Sequence, residues 1–113
     1  MKDFLLVYRM DYSMATKRTA EEEQANMKRW MDWLGSIGAQ NKLIDRGNRL
    51  EEKGKVVKTN NVITNGPYSD IKESIGGYSL VRAESLDVAT EMAKGCPVLL
   101  AGGNVEVREI SKM

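Results

Sequence analysis

Residues 4–8, Phe-Leu-Leu-Val-Tyr, are five apolar or aromatic side chains in unbroken succession. Neighbouring side chains on a strand point to opposite faces, so a strand built from them is apolar on both. Such a strand belongs in the middle of a sheet, with cover on each side. The run 3–10 is therefore read as a central strand, and the rest of the chain has to account for two covered faces.

One cover is visible downstream. Thr19-Ala20-Glu21-Glu22 reads as a capping box, Thr19 accepting from the first helical turn and Glu22 reaching back. Met27, Trp30, Met31, Leu34 and Ile37 follow at spacings of three and four, one face of an amphipathic helix that stops at Gly38. Trp30 lies on this stripe and is read as core; Trp33 lies at its margin, where it could line an interface. Residues 41–55 hold few apolar anchors and read as a short irregular strand. Residues 55–65 read as a β-hairpin turning at Asn60-Asn61, with Lys58 opposite Ile63 and Asn65 sharing a face with Ile63 and Val56.

The segment Gly-Tyr-Ser-Leu-Val-Arg-Ala at 77–83 is another strand. Ser85 caps a second helix through Leu86, Ala89, Met92 and Ala93, closed by Gly95 and Pro97. Gly102-Gly103 turns the chain into a last strand, where Val105 and Val107 alternate with Glu106 and Arg108. Strands and two helices in this order predict an α+β fold, ferredoxin-like, with an antiparallel sheet and both helices on one face. The second apolar face of the first strand is then left for another copy of the chain, and a homodimer is expected, with a ligand cleft between sheet and partner.

Size and charge narrow the function classes. With 113 residues, the chain is expected to be a single domain over 1–113. Seventeen basic and sixteen acidic residues leave a net charge of +1, too little to attract nucleic acid or an anionic membrane. The densest basic cluster, Lys53, Lys55 and Lys58, is mixed with Glu51 and Glu52 and reads as a solvated face. No apolar run has membrane-spanning length and no charged-then-apolar leader is visible, so a cytoplasmic protein is expected. The lone Cys96 fits a reducing compartment.

The chain has no histidine. That removes the commonest general base near neutral pH, any Ser-His or Cys-His nucleophile pair, and the commonest transition-metal ligand. No phosphate loop or dinucleotide fingerprint is present, and neither a metal nor a cofactor is expected. Cys96 could act as a nucleophile only with a partner that lowers its pKa. Lys94 is the one neighbour in sequence, and an inert buried thiol is the better reading.

The stretch Thr-Asn-Gly-Pro-Tyr-Ser-Asp-Ile-Lys-Glu-Ser-Ile-Gly-Gly-Tyr, residues 64–78, combines a rigid Gly66-Pro67 turn, clustered charges and a glycine pair. Ser69 or Asp70 could cap one helical turn there. With the Ser79-Leu80-Val81 that follows, it resembles the signature of YCII-related proteins of the DGPF branch, whose order is Asp-Gly-Pro-Phe, Thr-Lys-Glu, Gly-Gly-Tyr. The opening Phe-Leu-Leu-Val-Tyr, the 85–97 helix with its trailing proline, and Val-Glu-Val-Arg-Glu-Ile also fall where that family has them. The resemblance implies a ferredoxin-like α+β chain paired into a dimeric α/β barrel. Relatives in other branches are credited with a His-Asp acid/base pair, which cannot carry over here. Asn65 stands where the branch has Asp, Tyr68 where it has Phe, and Ile71 where it has Thr; Lys72, Glu73, Gly76, Gly77, Tyr78 and Arg108 match.

Three functions follow as alternatives. The first is a dimeric binder of a small molecule, with Asn65, Tyr68, Lys72, Tyr78 and Arg108 as ligand-binding candidates. The second is an acid/base enzyme using Glu73, provided that burial raises its pKa; Lys72 or Arg108 would then hold an anion, and Asn65 and Tyr78 would position the substrate. The third is a protein-interaction scaffold.

Overall fold

The computed structural model describes residues 1–11, 18–65 and 74–112. In chain order the elements are β1 (Lys2–Met10), α1 (Ala20–Ala39), β2 (Leu43–Asp45), β3 (Lys55–Lys58), β4 (Val62–Asn65), β5 (Ser74–Ala83), α2 (Leu86–Ala93) and β6 (Asn104–Glu109). Four strands form one antiparallel sheet in the order β2-β5-β1-β6. With a helix after β1 and another after β5, this is the ferredoxin-like α+β arrangement, carrying the β3–β4 hairpin as an insertion between its second and third strands.

β1 lies between β5 and β6, as its doubly apolar sequence requires. One face carries Phe4, Leu6 and Tyr8, which pack with Val81 and Ala83 of β5, Ile37 of α1 and Ala89 of α2. Phe4, Leu6, Ile37 and Val81 are fully buried, each stabilising the fold by about 1.5–3 kcal/mol through lost contact with water. Both helices therefore cover the same face. The molecule is a slab 19 Å along its thinnest axis, two layers deep.

Thr19 accepts from the Glu22 amide at 3.1 Å and donates its hydroxyl to the Glu22 carboxylate at 3.2 Å, and Ser85 accepts from the Val88 amide. Both caps stand where the sequence puts them. The apolar stripe of α1 differs from the periodicity reading. Met27 and Met31 are 63% and 56% exposed, whereas Trp33 packs on the core and donates its indole N–H to the Met92 carbonyl at 3.1 Å. Trp30 and Trp33 stand edge-to-face with Tyr8, at 4.8 and 6.1 Å between ring centres. Aromatic edge contacts and a satisfied indole outweigh the extra methylenes of the methionines, turning α1 toward its tryptophan side. The helix also runs through Gly38, and the left-handed residue beyond it is Asn41 (φ 59°).

The hairpin register is offset by one residue from the two-residue-turn reading. Lys58 pairs with Val62, Val57 with Ile63 and Lys55 with Asn65. Thr59–Asn61 forms a three-residue turn in which Asn60 (φ 67°) and Asn61 (φ 61°) are both left-handed. Asn65 consequently shares its face with Ile63, Val57 and Lys55, not with Val56. Among the described residues the hairpin pairs with no strand of the main sheet.

Candidate functional site

The face of the sheet opposite the helices carries the side chains that alternate with the core. β1 contributes Leu5, Val7 and Arg9. Across from them stand Leu80, Tyr78 and Ile75 of β5, and Arg108, Glu106 and Asn104 of β6. Val7 is 9% exposed and sits between Tyr78 and Glu106, with Leu5 and Leu80 half-buried beside it. The result is an apolar floor with polar groups at its edges.

On the β6 side the polar groups form a chain. Arg9 donates through Nε and Nη2 to Glu106 Oε1 at 3.2 and 3.1 Å, and Arg108 Nη1 donates to Glu106 Oε2 at 3.3 Å. Glu106 thus bridges two guanidiniums, and the Arg108 side chain stays 71% exposed beyond that contact. The hydrogen bonds from Arg9, then those from Arg108, hold the Glu106 carboxyl below its ordinary value. Glu106 is therefore ionised at neutral pH and is a fixed acceptor, not a proton donor.

On the β5 side, Tyr78 is half-buried and its hydroxyl accepts from Asn48 Nδ2 at 3.4 Å. Residues 46–50 reach this position by running along β5. Asp45 Oδ1 accepts from the Gly47 amide, Tyr78 N–H donates to the Asn48 carbonyl, and Leu50 N–H donates to the Gly76 carbonyl. Gly47 (φ +73°) lies so close that a Cβ there would fall 1.7 Å from the Tyr78 carbonyl oxygen. Gly77 is inside β5, and a Cβ on it would meet the Asn48 carbonyl at 2.9 Å. Close backbone approach is what Gly77 provides.

A buried relay anchors the same loop from the core side. Tyr8 donates its hydroxyl to Ser79 Oγ at 2.6 Å, and Ser79 donates to the Arg46 carbonyl at 2.6 Å. Burial pushes the Tyr8 hydroxyl above its usual pKa, with the Ser79 hydrogen bond opposing. Cys96 is 2% exposed, and burial pushes its thiol up to about 12. Lys94 pairs with Glu91 at 2.6 Å. A thiol so placed is no nucleophile at neutral pH.

Of the residues singled out in the sequence, Tyr78 and Arg108 lie on the same open sheet face, on the strands either side of β1 and two residues out of register. Asn65 is exposed on the separate hairpin. Tyr68, Lys72 and Glu73 lie outside the described residues. Arg9, Glu106 and Asn48 were not singled out. Glu106 and Arg108 are legible as one face from their alternation with valines, but the pairing that delivers Arg9 to them depends on register.

A family model described as the YCII-related domain matches residues 1–113, the full length of the chain. The chain belongs to this family. The resemblance carried by residues 64–81 is thereby upheld at family level. Among solved structures this YCII-related chain is similar to 5-chloro-2-hydroxyhydroquinone dehydrochlorinase from Burkholderia phenoliruptrix, in complex with 2,5-dihydroxybenzoquinone. The two are 18% identical over 97% of this chain and 95% of the other, with a TM-score of 0.45. Comparison with curated proteins gives no match.

Two shallow grooves of this YCII-related chain lie in the helical layer, between α1 and the 3₁₀ turn Pro97–Ala101, with volumes of about 310 and 340 Å³. Neither touches Tyr78, Arg108 or Asn65. Among the described residues no helix is long and apolar enough to cross a membrane. Among the described residues no group of three or more acidic or cysteine side chains converges as a metal site.

Proposed function

We propose that this YCII-related chain is a dimeric binder of a small anionic molecule, held between its open sheet face and the same face of a second copy. One observation carries the reading. A sheet face without a helix combines an apolar floor, Leu5, Val7 and Leu80, with a guanidinium pair around a single carboxylate, Arg9–Glu106–Arg108. Such a floor left open is costly in water, and a two-fold partner would convert it into a cleft. The exposed Arg108 guanidinium favours a carboxylate or phenolate, and Tyr78 beside Val7 offers a ring for a flat apolar body.

The acid/base alternative requires a carboxyl raised toward neutrality. Glu106 is shifted the other way, so Glu73 remains its candidate. A thermal-shift series with benzoate, salicylate and dihydroxybenzoquinone tests the binding reading. Saturating ligand at one hundred times its dissociation constant should stabilise the protein by about 2.7 kcal/mol. Arg108→Ala should abolish the shift, and the ligand should be recovered unchanged. A consumed ligand would favour the enzyme; no shift with any anion would contradict the proposal.

A further inference from the structure

We infer that the outer edge of β6 is a docking strand for the β6 of a second copy, the two pairing antiparallel about Val107 with Glu106 opposite Arg108 of the other chain. This contact lies at the edge of the sheet, not on its open face, and does not depend on the dimer proposed above.

β6 ends the sheet, and among the described residues no strand lies outside it. It runs for six residues, Asn104–Glu109, holds no proline or glycine, and pairs with β1 without a register shift. The opposite edge differs: β2 is three residues long, and its pairing with β5 shifts between Leu43 and Asp45. Short or bulged edges resist further pairing, whereas a flat, regular one is a template for it.

The backbone fixes which residues can pair. Ile110 donates its N–H to the Asp3 carbonyl at 2.8 Å, one step beyond the Phe4–Glu109 pair. Bonded and non-bonded pairs alternate along an antiparallel ladder. Arg108, Glu106 and Asn104 therefore bond to β1, and Val105, Val107 and Glu109 turn their N–H and C=O outward. Two copies of β6 join only where these outward residues oppose one another, which puts the two-fold axis through a residue rather than between two.

Side-chain charge then selects one register. Glu106 and Arg108 lie on the open face, and directly opposed residues share a face. An axis through Val107 sets Glu106 opposite Arg108 of the second copy on both sides of the axis. Moved by one residue, it sets Glu106 against Glu106 or Arg108 against Arg108, and opposed like charges are destabilising. An axis through Val105 opposes Glu106 to Asn104, and one through Glu109 brings two Glu109 carboxylates together.

The strand is thus complementary to itself. The Arg108 side chain is 71% exposed and reaches Glu106 at 3.3 Å along its own strand, so the cross-strand contact exchanges one ion pair for another. Each protomer then receives a guanidinium from its neighbour at the polar rim of its own sheet face. A six-residue edge buries less than the ~800 Å² per partner of a stable interface, so this contact forms well above micromolar concentration.

The test mixes full-length Glu106→Cys and Arg108→Cys proteins at high concentration under mild oxidation and reads disulfide dimers by intact mass. In the inferred register the two cysteines are directly opposed, with Cα atoms about 4.5 Å apart, within disulfide reach. Two copies of one variant set theirs on diagonal positions about 7–8 Å apart, outside it. Cys96 is 2% exposed and stays out of the reaction. The mixed disulfide should form roughly tenfold faster than either variant links to itself. Equal rates, or no linkage, would overturn the inference. Val107→Pro in both partners removes an outward N–H and leaves the β1 ladder whole; it should suppress the mixed disulfide, with Val105→Pro used instead if circular dichroism changes. Val7→Lys, on the sheet face, should leave the disulfide in place. A disulfide lost with Val7→Lys and kept with the prolines would put the cysteines across the face dimer, sinking the edge contact and supporting that dimer.

Discussion

Glu106 accepts from two arginines and is solvent-accessible, so its role is visible in titration rather than in large stability changes. Its folded pKa lies below the ordinary value of 4.5. A depressed carboxyl stabilises the fold fully above its unfolded pKa, and that contribution disappears as pH falls through the folded one. Melting temperature should therefore fall on acidification below about pH 4.5, and Glu106→Gln should flatten this part of the curve while melting slightly lower at pH 7. Identical pH profiles for the two proteins would show that the Arg9–Glu106–Arg108 chain does not persist in solution. At this scale the sequence was partly readable. Arg108 and Tyr78 came from the family signature, but Arg9 and Asn48 became site residues only through strand register and through a loop held against β5, neither of which leaves a local mark.

Elements were legible where local chemistry decides them. Thr19 and Ser85 cap their helices because a hydroxyl at that position satisfies a free amide, and no distant residue can change that. The hairpin register was less accessible: two consecutive asparagines permit both a two-residue and a three-residue turn, and one residue of slip moves Asn65 away from Val56's face. The tryptophan side of α1 depended on the Met92 carbonyl and on Tyr8, which lie in other elements. The Tyr8–Ser79–Arg46 relay ties three such elements together. Ser79→Ala would leave the buried Tyr8 hydroxyl and the Arg46 carbonyl without partners, costing about 2 kcal/mol and lowering the melting temperature by roughly 8 °C. Adding Tyr8→Phe removes the stranded donor, so the double variant should be less destabilised than the sum of the two singles. Additive losses in calorimetry would contradict the relay.

For the molecule as a whole, the doubly apolar run at residues 4–8 was the decisive sequence feature. It required a central strand, and the structure places β1 between β5 and β6 with the helices against one side. Among the described residues no helix covers the other side, and the two layers measure 19 Å through. Nothing in the sequence could distinguish cover by another segment from cover by another copy. The fold closes the first option for the described residues, since α1 and α2 both lie on the Phe4–Leu6–Tyr8 side. Sedimentation velocity at micromolar concentration, comparing wild type with Val7→Lys, tests this most directly. A species of twice the chain mass of 12.7 kDa, reduced to the single chain by a lysine in the middle of the apolar floor, is the predicted result. A wild-type protein that sediments as a lone 12.7 kDa chain would contradict the account.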